Sequence, residues 1–360
     1  MSNRVKPAAH GALDFAELEQ LGLDPNDVLD FSVNSNPFGI SPLILEALRS
    51  VPVDRYPDRE SIALRRALSE RLDVSPEQIL VGNGTAELIQ LAAFAFLQRG
   101  DHALIVEPTF GEYERSVRLM KANVHRWRAV SKNGFIPNVE KIHKRLRQRN
   151  MQVVFICNPN NPTGQVISLE ALREWADEFS ETIFIIDEAY LAFVEGMKSA
   201  VELKRKNILT LHSMTKDYAI AGLRLGYTVG EPKMIEAMKN FRPAWNVNAF
   251  AQVAGLAALQ SEKYVSETLA RLRVEKEVFV SELKELGWKS IPSQTNYFLL
   301  PVRNGEQFRV ELLKYGIVVR DCASFGLPSY VRIATRTPEE NMRFLNSLLT
   351  LGKGAGMRDK

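Results

Sequence analysis

The chain has 360 residues, more than one compact core accommodates, so a large domain with a smaller companion is expected. Its 46 basic and 43 acidic residues are dispersed to a net charge of +3, which argues against a nucleic-acid partner. Two distant cysteines, Cys157 and Cys322, and five unclustered histidines predict neither a disulfide framework nor a metal site, and fit a reducing cytoplasm.

In chain order, the opening MSNRVKPAAHG lacks the apolar core of a signal peptide. No stretch approaches the roughly 20 apolar residues of a membrane span. The longest, LIQLAAFAFL at 88–97, reads as a buried helix. QILVG (78–82) predicts a strand, and Thr85 to Leu97 a helix. HALIVE (102–107) predicts the next strand and Glu112 to Lys121 the next helix. MQVVFICN (151–158) and TIFIID (182–187) read as buried strands flanking the helix LEALREWADEFS. NILTLHS (207–213) and RLGYTVG (224–230) follow as strands. Near-continuous Val/Ile/Leu runs alternating with helices predict a mostly parallel sheet covered on both faces.

The last third changes character. A helical stretch runs from Asn248 to Leu286 with a break near 261–263. Strands at TNYFLLPV (295–302) and SYVRIAT (329–335) follow, then a helix from Pro338 to Leu351. The expected division is a three-layer αβα large domain at 48–245. A smaller α+β domain comprises 1–47 and 246–351, with a disordered tail at 352–360.

Ligands of open α/β sheets bind beyond the carboxyl ends of the strands, and the distinctive polar motifs of this chain follow its apolar runs. In GNGTAEL, Gly82 and Gly84 permit a tight turn, and Thr85 begins a helix whose free N–H groups suit a phosphate. The third glycine of a dinucleotide fingerprint is missing, as is a charged ribose acceptor, so one phosphate is expected rather than a nicotinamide dinucleotide. NPNNPTG forces a turn that aims amides at the cleft. Asp187 of DEAY ends a buried strand, where a carboxylate needs a positive partner such as a protonated pyridine nitrogen. SMTK brings Ser213, Thr215 and Lys216 together, and a lysine at a buried sheet end can lose its proton and form an imine with an aldehyde. GLRLGY adds Arg224 at the same edge.

GNGTAE, NPNNPTG, DEAY, SMTK and GLRLGY occur in the order found in fold-type I pyridoxal-phosphate enzymes, the class I/II aminotransferases, and the resemblance covers essentially the whole chain. It implies pyridoxal 5'-phosphate as cofactor, with Lys216 carrying it covalently and Asp187 meeting its ring nitrogen. Tyr190 and Asn161 would meet the ring hydroxyl, and Phe110 would stack on the ring. Gly84, Thr85, Ser213 and Arg224 would form the phosphate cup. Tyr56 of RYPD resembles the tyrosine that reaches the other subunit's cofactor, which implies a homodimer with shared active sites. Arg332 of YVRIAT matches the arginine that holds a substrate carboxylate.

Two neighbours within the family compete. Histidinol-phosphate aminotransferases share DFSxNxNPxG-like segments, here DFSVNSNPFG with Asn34, and RYPD. The threonine-phosphate decarboxylases of cobalamin biosynthesis are resembled in AAHG, although Ala12 replaces an expected glycine. They are resembled also in PAWNVNAFAQVAGLAAL and in VRDCASFGLPSYVRIATR. His10, Arg320 and Arg336 would then join in cradling a substrate phosphate. The expectation is decarboxylation of a small phosphorylated amino acid, L-threonine O-3-phosphate, with transamination of histidinol phosphate as the alternative. A non-catalytic regulatory module is a remote third reading, disfavoured by the intact lysine and the absence of a DNA-binding segment before residue 30.

Overall fold

The computed structural model describes residues 5, 7, 8 and 11–352. Its strands in chain order are β1 (Leu29–Asp30), β2 (Ile79–Gly82), β3 (His102–Glu107), β4 (Asn123–Arg128), β5 (Val153–Cys157) and β6 (Ile183–Asp187). They continue with β7 (Ile208–Ser213), β8 (Gly226–Val229), β9 (Tyr297–Pro301), β10 (Ile317–Val318), β11 (Arg320–Asp321) and β12 (Tyr330–Ala334). Seven of them form one sheet in the order β2-β8-β7-β6-β5-β3-β4. Within it only β8 runs antiparallel to its neighbours.

The inner strands are apolar along their whole length because helices cover both faces. Leu80, Ile105, Phe155 and Leu211 pack on one side with Leu88, Ala92, Val117 and Ile235 from the helices Gly84–Phe96, Glu112–Leu119 and Pro232–Lys239. Val154, Phe184 and Ile186 pack on the other with Ile142, Leu172 and the wholly buried Trp175, from the helices Val139–Arg147 and Leu169–Glu178. This is the expected three-layer α/β architecture. From β3 the chain steps outward to β4, then returns to β5 on the other side of β3 and proceeds through β6 to β7. The crevice where the winding reverses, at the carboxyl ends of β3 and β5, is where such a sheet receives a ligand.

A three-stranded antiparallel sheet, β11-β12-β9, and the parallel pair β1-β10 form the second body. Its core joins Phe298, Val331 and Ile333 to Phe31, Phe279, Phe308 and Phe344. Packing is continuous across residue 245. Ala251 and Ala254 of the helix Ala249–Leu259, with Leu269 and Leu272 of the helix Glu262–Glu285, join Ile79, Val81 and Val229 in the large-sheet core. The second helix therefore bridges the two cores, because Phe279 and Leu283 near its other end belong to the smaller one. The closing helix Pro338–Gly352 includes the first residue of the expected tail, and 353–360 lie outside the described residues.

Candidate active site

At the carboxyl edge of the seven-stranded sheet lies a cavity of about 510 Å³. Its lining includes Phe110 after β3, Asn161 after β5, Asp187 at the end of β6, Ser213 and Lys216 around the end of β7, and Arg224 before β8. The smaller body closes the opposite side with Arg320 and Arg332.

Asp187 is 3% exposed. Its carboxylate accepts hydrogen bonds from the Tyr113 hydroxyl at 2.8 Å and the Ala189 amide at 3.1 Å. Burial nevertheless pushes its pKa up to about 6, against the pull of those donors and of Lys216. Lys216 moves the other way, down to about 8: burial disfavours its ammonium, Arg332 and Arg224 add positive charge, and Asp187 only partly offsets them. A lysine so placed has a readily available neutral amine. Its carbonyl accepts from the Asn36 amide at 2.8 Å, which ties this loop to the 31–36 segment.

The turn expected to form the phosphate cup is built on backbone conformation. Gly84 opens the helix Gly84–Phe96 with φ at +76°, and a Cβ there would stand 2.8 Å from the Arg224 guanidinium. Arg224 itself adopts φ +58° and donates to the Ala221 carbonyl at 3.1 Å, while the Ser213 and Thr215 hydroxyls meet at 2.7 Å. Gly84→Ala is expected to lower stability by about 1–2 kcal/mol, the cost of a left-handed backbone for a residue with a Cβ. Cofactor affinity should fall with it as Arg224 is displaced. Denaturant midpoints and a cofactor titration check both, and an unchanged affinity would remove this turn from the cup.

The NPNNPTG turn divides its labour. Asn158 closes the turn, donating to the Ile167 carbonyl at 2.9 Å and accepting from the Ile167 amide at 2.8 Å. The Asn161 side-chain oxygen accepts from Arg332, so its amino group is the donor left over. Arg332, 5% exposed, also donates to the Ser32 carbonyl and lies over the Tyr297 ring at 5.5 Å. Tyr190 is buried beside that ring, and its hydroxyl, close to Asn34, is pushed up to about 12, chiefly by burial, so it stays protonated. Asn34 lines the cavity.

Arg320 and Arg332 are direct cross-strand partners in β11 and β12, and both face the cavity. Arg320 is 8% exposed and donates to the Ser324 hydroxyl at 2.7 Å. Like charges directly opposed on one sheet face repel unless an anion lies among them.

Of the remaining expected residues, Arg336 and Tyr56 do not line this cavity, Tyr56 being expected at a partner's cofactor instead. Arg336 is held outside: its guanidinium makes two 3.0 Å contacts with the Glu340 carboxylate and donates to the Asp30 carbonyl at 2.9 Å. Its side chain is committed to the start of the closing helix and does not line the cavity, unlike the expectation for a residue cradling a substrate phosphate. Tyr56 is 76% exposed and stacks on Trp245 at 4.5 Å, away from the cavity. His10 lies outside the described residues. Tyr113 is a partner the sequence reading omitted; it follows Phe110 by three residues and was legible only as a buried aromatic of the helix Glu112–Leu119.

These residues fit a pyridoxal phosphate on structural grounds: a lysine held below its ordinary pKa, a buried carboxylate facing it, and a glycine turn at a helix start beside an arginine. The profile for class I and II aminotransferases matches residues 26–348. The chain belongs to that family. Its cofactor is pyridoxal 5'-phosphate, whose ring, when bound, withdraws electrons from the substrate's α-carbon. A histidinol-phosphate aminotransferase 2 from Carboxydothermus hydrogenoformans is 32% identical over 91% of this chain and 92% of its own. The bifunctional adenosylcobalamin biosynthesis protein CobDQ of Leptospira interrogans is 29% identical over 98% of this chain and 42% of its own. Among solved structures, an L-threonine-O-3-phosphate decarboxylase from Porphyromonas gingivalis has a TM-score of 0.80 and 28% identity, covering 90% of this chain and 99% of that one. A histidinol-phosphate aminotransferase from Sinorhizobium meliloti in complex with pyridoxal-5'-phosphate shares the fold, with a TM-score of 0.84 and 21% identity over 94% of each chain.

The raised pKa of Asp187 gives this class I/II aminotransferase family member a pH signature. The folded carboxyl holds its proton more tightly than the unfolded one. Its contribution to stability is therefore complete below the unfolded pKa and is lost as pH rises through about 6. The apoprotein should lose up to about 3 kcal/mol from this group between pH of about 4 and 7. Glu188 and Asp217 are also raised by burial, to about 7, so the quantity to measure is the difference in urea midpoint between wild type and Asp187→Asn across that range. A difference that does not vary with pH contradicts the assignment.

Proposed function

We propose that this enzyme decarboxylates a small phosphorylated amino acid, L-threonine O-3-phosphate, to aminopropanol phosphate and CO2. The observation that carries the reading is the opposed pair Arg320 and Arg332, both buried and both facing the cavity of Lys216. A substrate with a phosphate at one end and a carboxylate near the other offers an anion to each guanidinium. Arg332 would hold the carboxylate and Arg320 the phosphate. The spacing of those two contacts would set how the substrate turns about its α-carbon, and the bond held perpendicular to the cofactor ring is the one that breaks. The CobDQ relative, the decarboxylase of similar structure and the RDCASFGL and RIATR segments add support.

Transamination of histidinol phosphate is the second reading. The 32% identical relative named for that activity favours it. Histidinol phosphate carries a single anionic group, so one of the two guanidiniums would face no substrate charge until a dicarboxylate acceptor arrived. Incubation with threonine phosphate is expected to release CO2 and aminopropanol phosphate. Turnover confined to histidinol phosphate with 2-oxoglutarate would overturn the decarboxylase reading. The reading includes a cytoplasmic homodimer in which Tyr56, exposed on one protomer, reaches the cofactor phosphate of its partner. No described helix is long and apolar enough to cross a membrane.

A further inference from the structure

A second cavity, of about 450 Å³, lies on the far side of the 290–296 segment, against the helix Glu262–Glu285. Phe193, Leu269, Leu272, Val280, Ile291 and Phe298 give it an apolar body. Lys276, Glu277, Arg273 and the polar side chains of the 293–296 stretch line the rest, so the cavity offers an apolar body beside charged and amide groups. Asn296 is 4% exposed and lines the cavity, and neither its amide nitrogen nor its amide oxygen has a hydrogen-bond partner. A buried amide left with both ends unmet costs free energy that a bound donor and acceptor would recover. Lys276, which also lines the cavity, donates to the Ser293 carbonyl and keeps two further ammonium hydrogens. Glu277 stands exposed at the rim, and Arg273 lies 3.5 Å from Glu195.

We propose that this cavity is a binding site for a free α-amino acid with an apolar side chain. The ligand's carboxylate would meet Lys276 and the amide nitrogen of Asn296, its ammonium would meet the amide oxygen of Asn296 and the Glu277 carboxylate, and its side chain would enter the apolar body. A simple fatty acid satisfies only half of the Asn296 amide, and an amine leaves Lys276 without an anion. The cavity wall is continuous with the active site. The Gln294 backbone N–H donates to the Gly164 carbonyl at 3.0 Å, and Tyr297, the residue after Asn296, donates its hydroxyl to the Asn160 carbonyl at 2.9 Å.

The test uses the holoenzyme and four probes: leucine, phenylalanine, isocaproate (no ammonium) and leucinamide (no carboxylate). Leucine or phenylalanine is expected to raise Tm saturably, by about 2 °C or more, with no change in the visible absorption of the cofactor. Isocaproate and leucinamide should bind at least about tenfold more weakly, having lost a charge-assisted contact. Lys276→Met and Asn296→Leu should each abolish the leucine response, whereas Arg332→Gln should retain it. No saturable shift with either amino acid overturns the proposal. So does a shift that disappears in Arg332→Gln or perturbs the visible band, because the amino acid is then in the main cavity. If Lys276→Met lowers Tm in the absence of ligand, Lys276→Arg decides: retention of the leucine response supports the site and its loss overturns it.

Discussion

Replacing Lys216 with alanine is expected to remove the visible absorption band of the purified holoenzyme and to lower turnover by about 10³-fold or more. That factor lies within the range supplied by a positioned proton-transfer group. The lysine has two tasks that alanine cannot perform. Its amine, lowered to about 8 by burial and by the charges of Arg332 and Arg224, is the group able to form a covalent link with the cofactor aldehyde near neutral pH. It is also a base within the cavity that can hold a proton close to the substrate's α-carbon. Lys216→Arg separates these tasks from charge, because arginine keeps the positive field but stays protonated. It should be as inactive as the alanine variant while holding the cofactor's phosphate more tightly than the alanine variant does. Retention of the band in either variant would move the covalent link to another residue.

The site was legible in the sequence where a polar motif directly followed an apolar run long enough to be a buried strand. HALIVE, VVFIC, IFIID and ILTLHS placed Phe110, Asn161, Asp187, Ser213, Thr215 and Lys216 at one sheet edge, and the structure places all of them around one cavity. Burial leaves such strands only one composition, so their pattern is strong. The strand β4 escaped because NVHRWR is an edge strand with half its residues exposed, and its alternation is as polar as a surface loop. The two-residue strands β1 and β10 are defined by each other across about 290 residues, and β11 by its pairing with β12, rather than by local pattern. Tyr113 illustrates the limit for side chains: its role depends on a hydrogen bond to Asp187, 74 residues away.

Arg336 was misplaced for a different reason. The sequence did contain the competing signal, since Glu340 follows it by four residues at the start of a helix, where an acid–base pair at that spacing is favourable. The resemblance of the RIATR segment outweighed that local pairing. In the structure the local pairing holds the Arg336 guanidinium, while Arg320, expected together with it, lines the cavity.

Arg332→Ala is expected to lower kcat/KM by roughly 30- to several-thousand-fold, the equivalent of the 2–5 kcal/mol lost when one partner of a buried charge pair is truncated. The arginine is fixed before substrate arrives, by Asn161, the Ser32 carbonyl and the Tyr297 ring, so little ordering entropy opposes its contact with a carboxylate. Its loss would also release Asn161 and relieve the positive charge pressing on Arg320. A second comparison isolates the pair. If the two arginines hold the two anionic ends of one substrate, Arg320→Ala and Arg332→Ala should be strongly non-additive when combined, since each end then binds without the other to orient it. If Arg332 alone meets the substrate, the Arg320→Ala variant keeps near wild-type kcat/KM and the double variant matches Arg332→Ala. That outcome would leave the phosphate of the proposed substrate without its partner, and a substrate with a single anionic group would fit the cavity better.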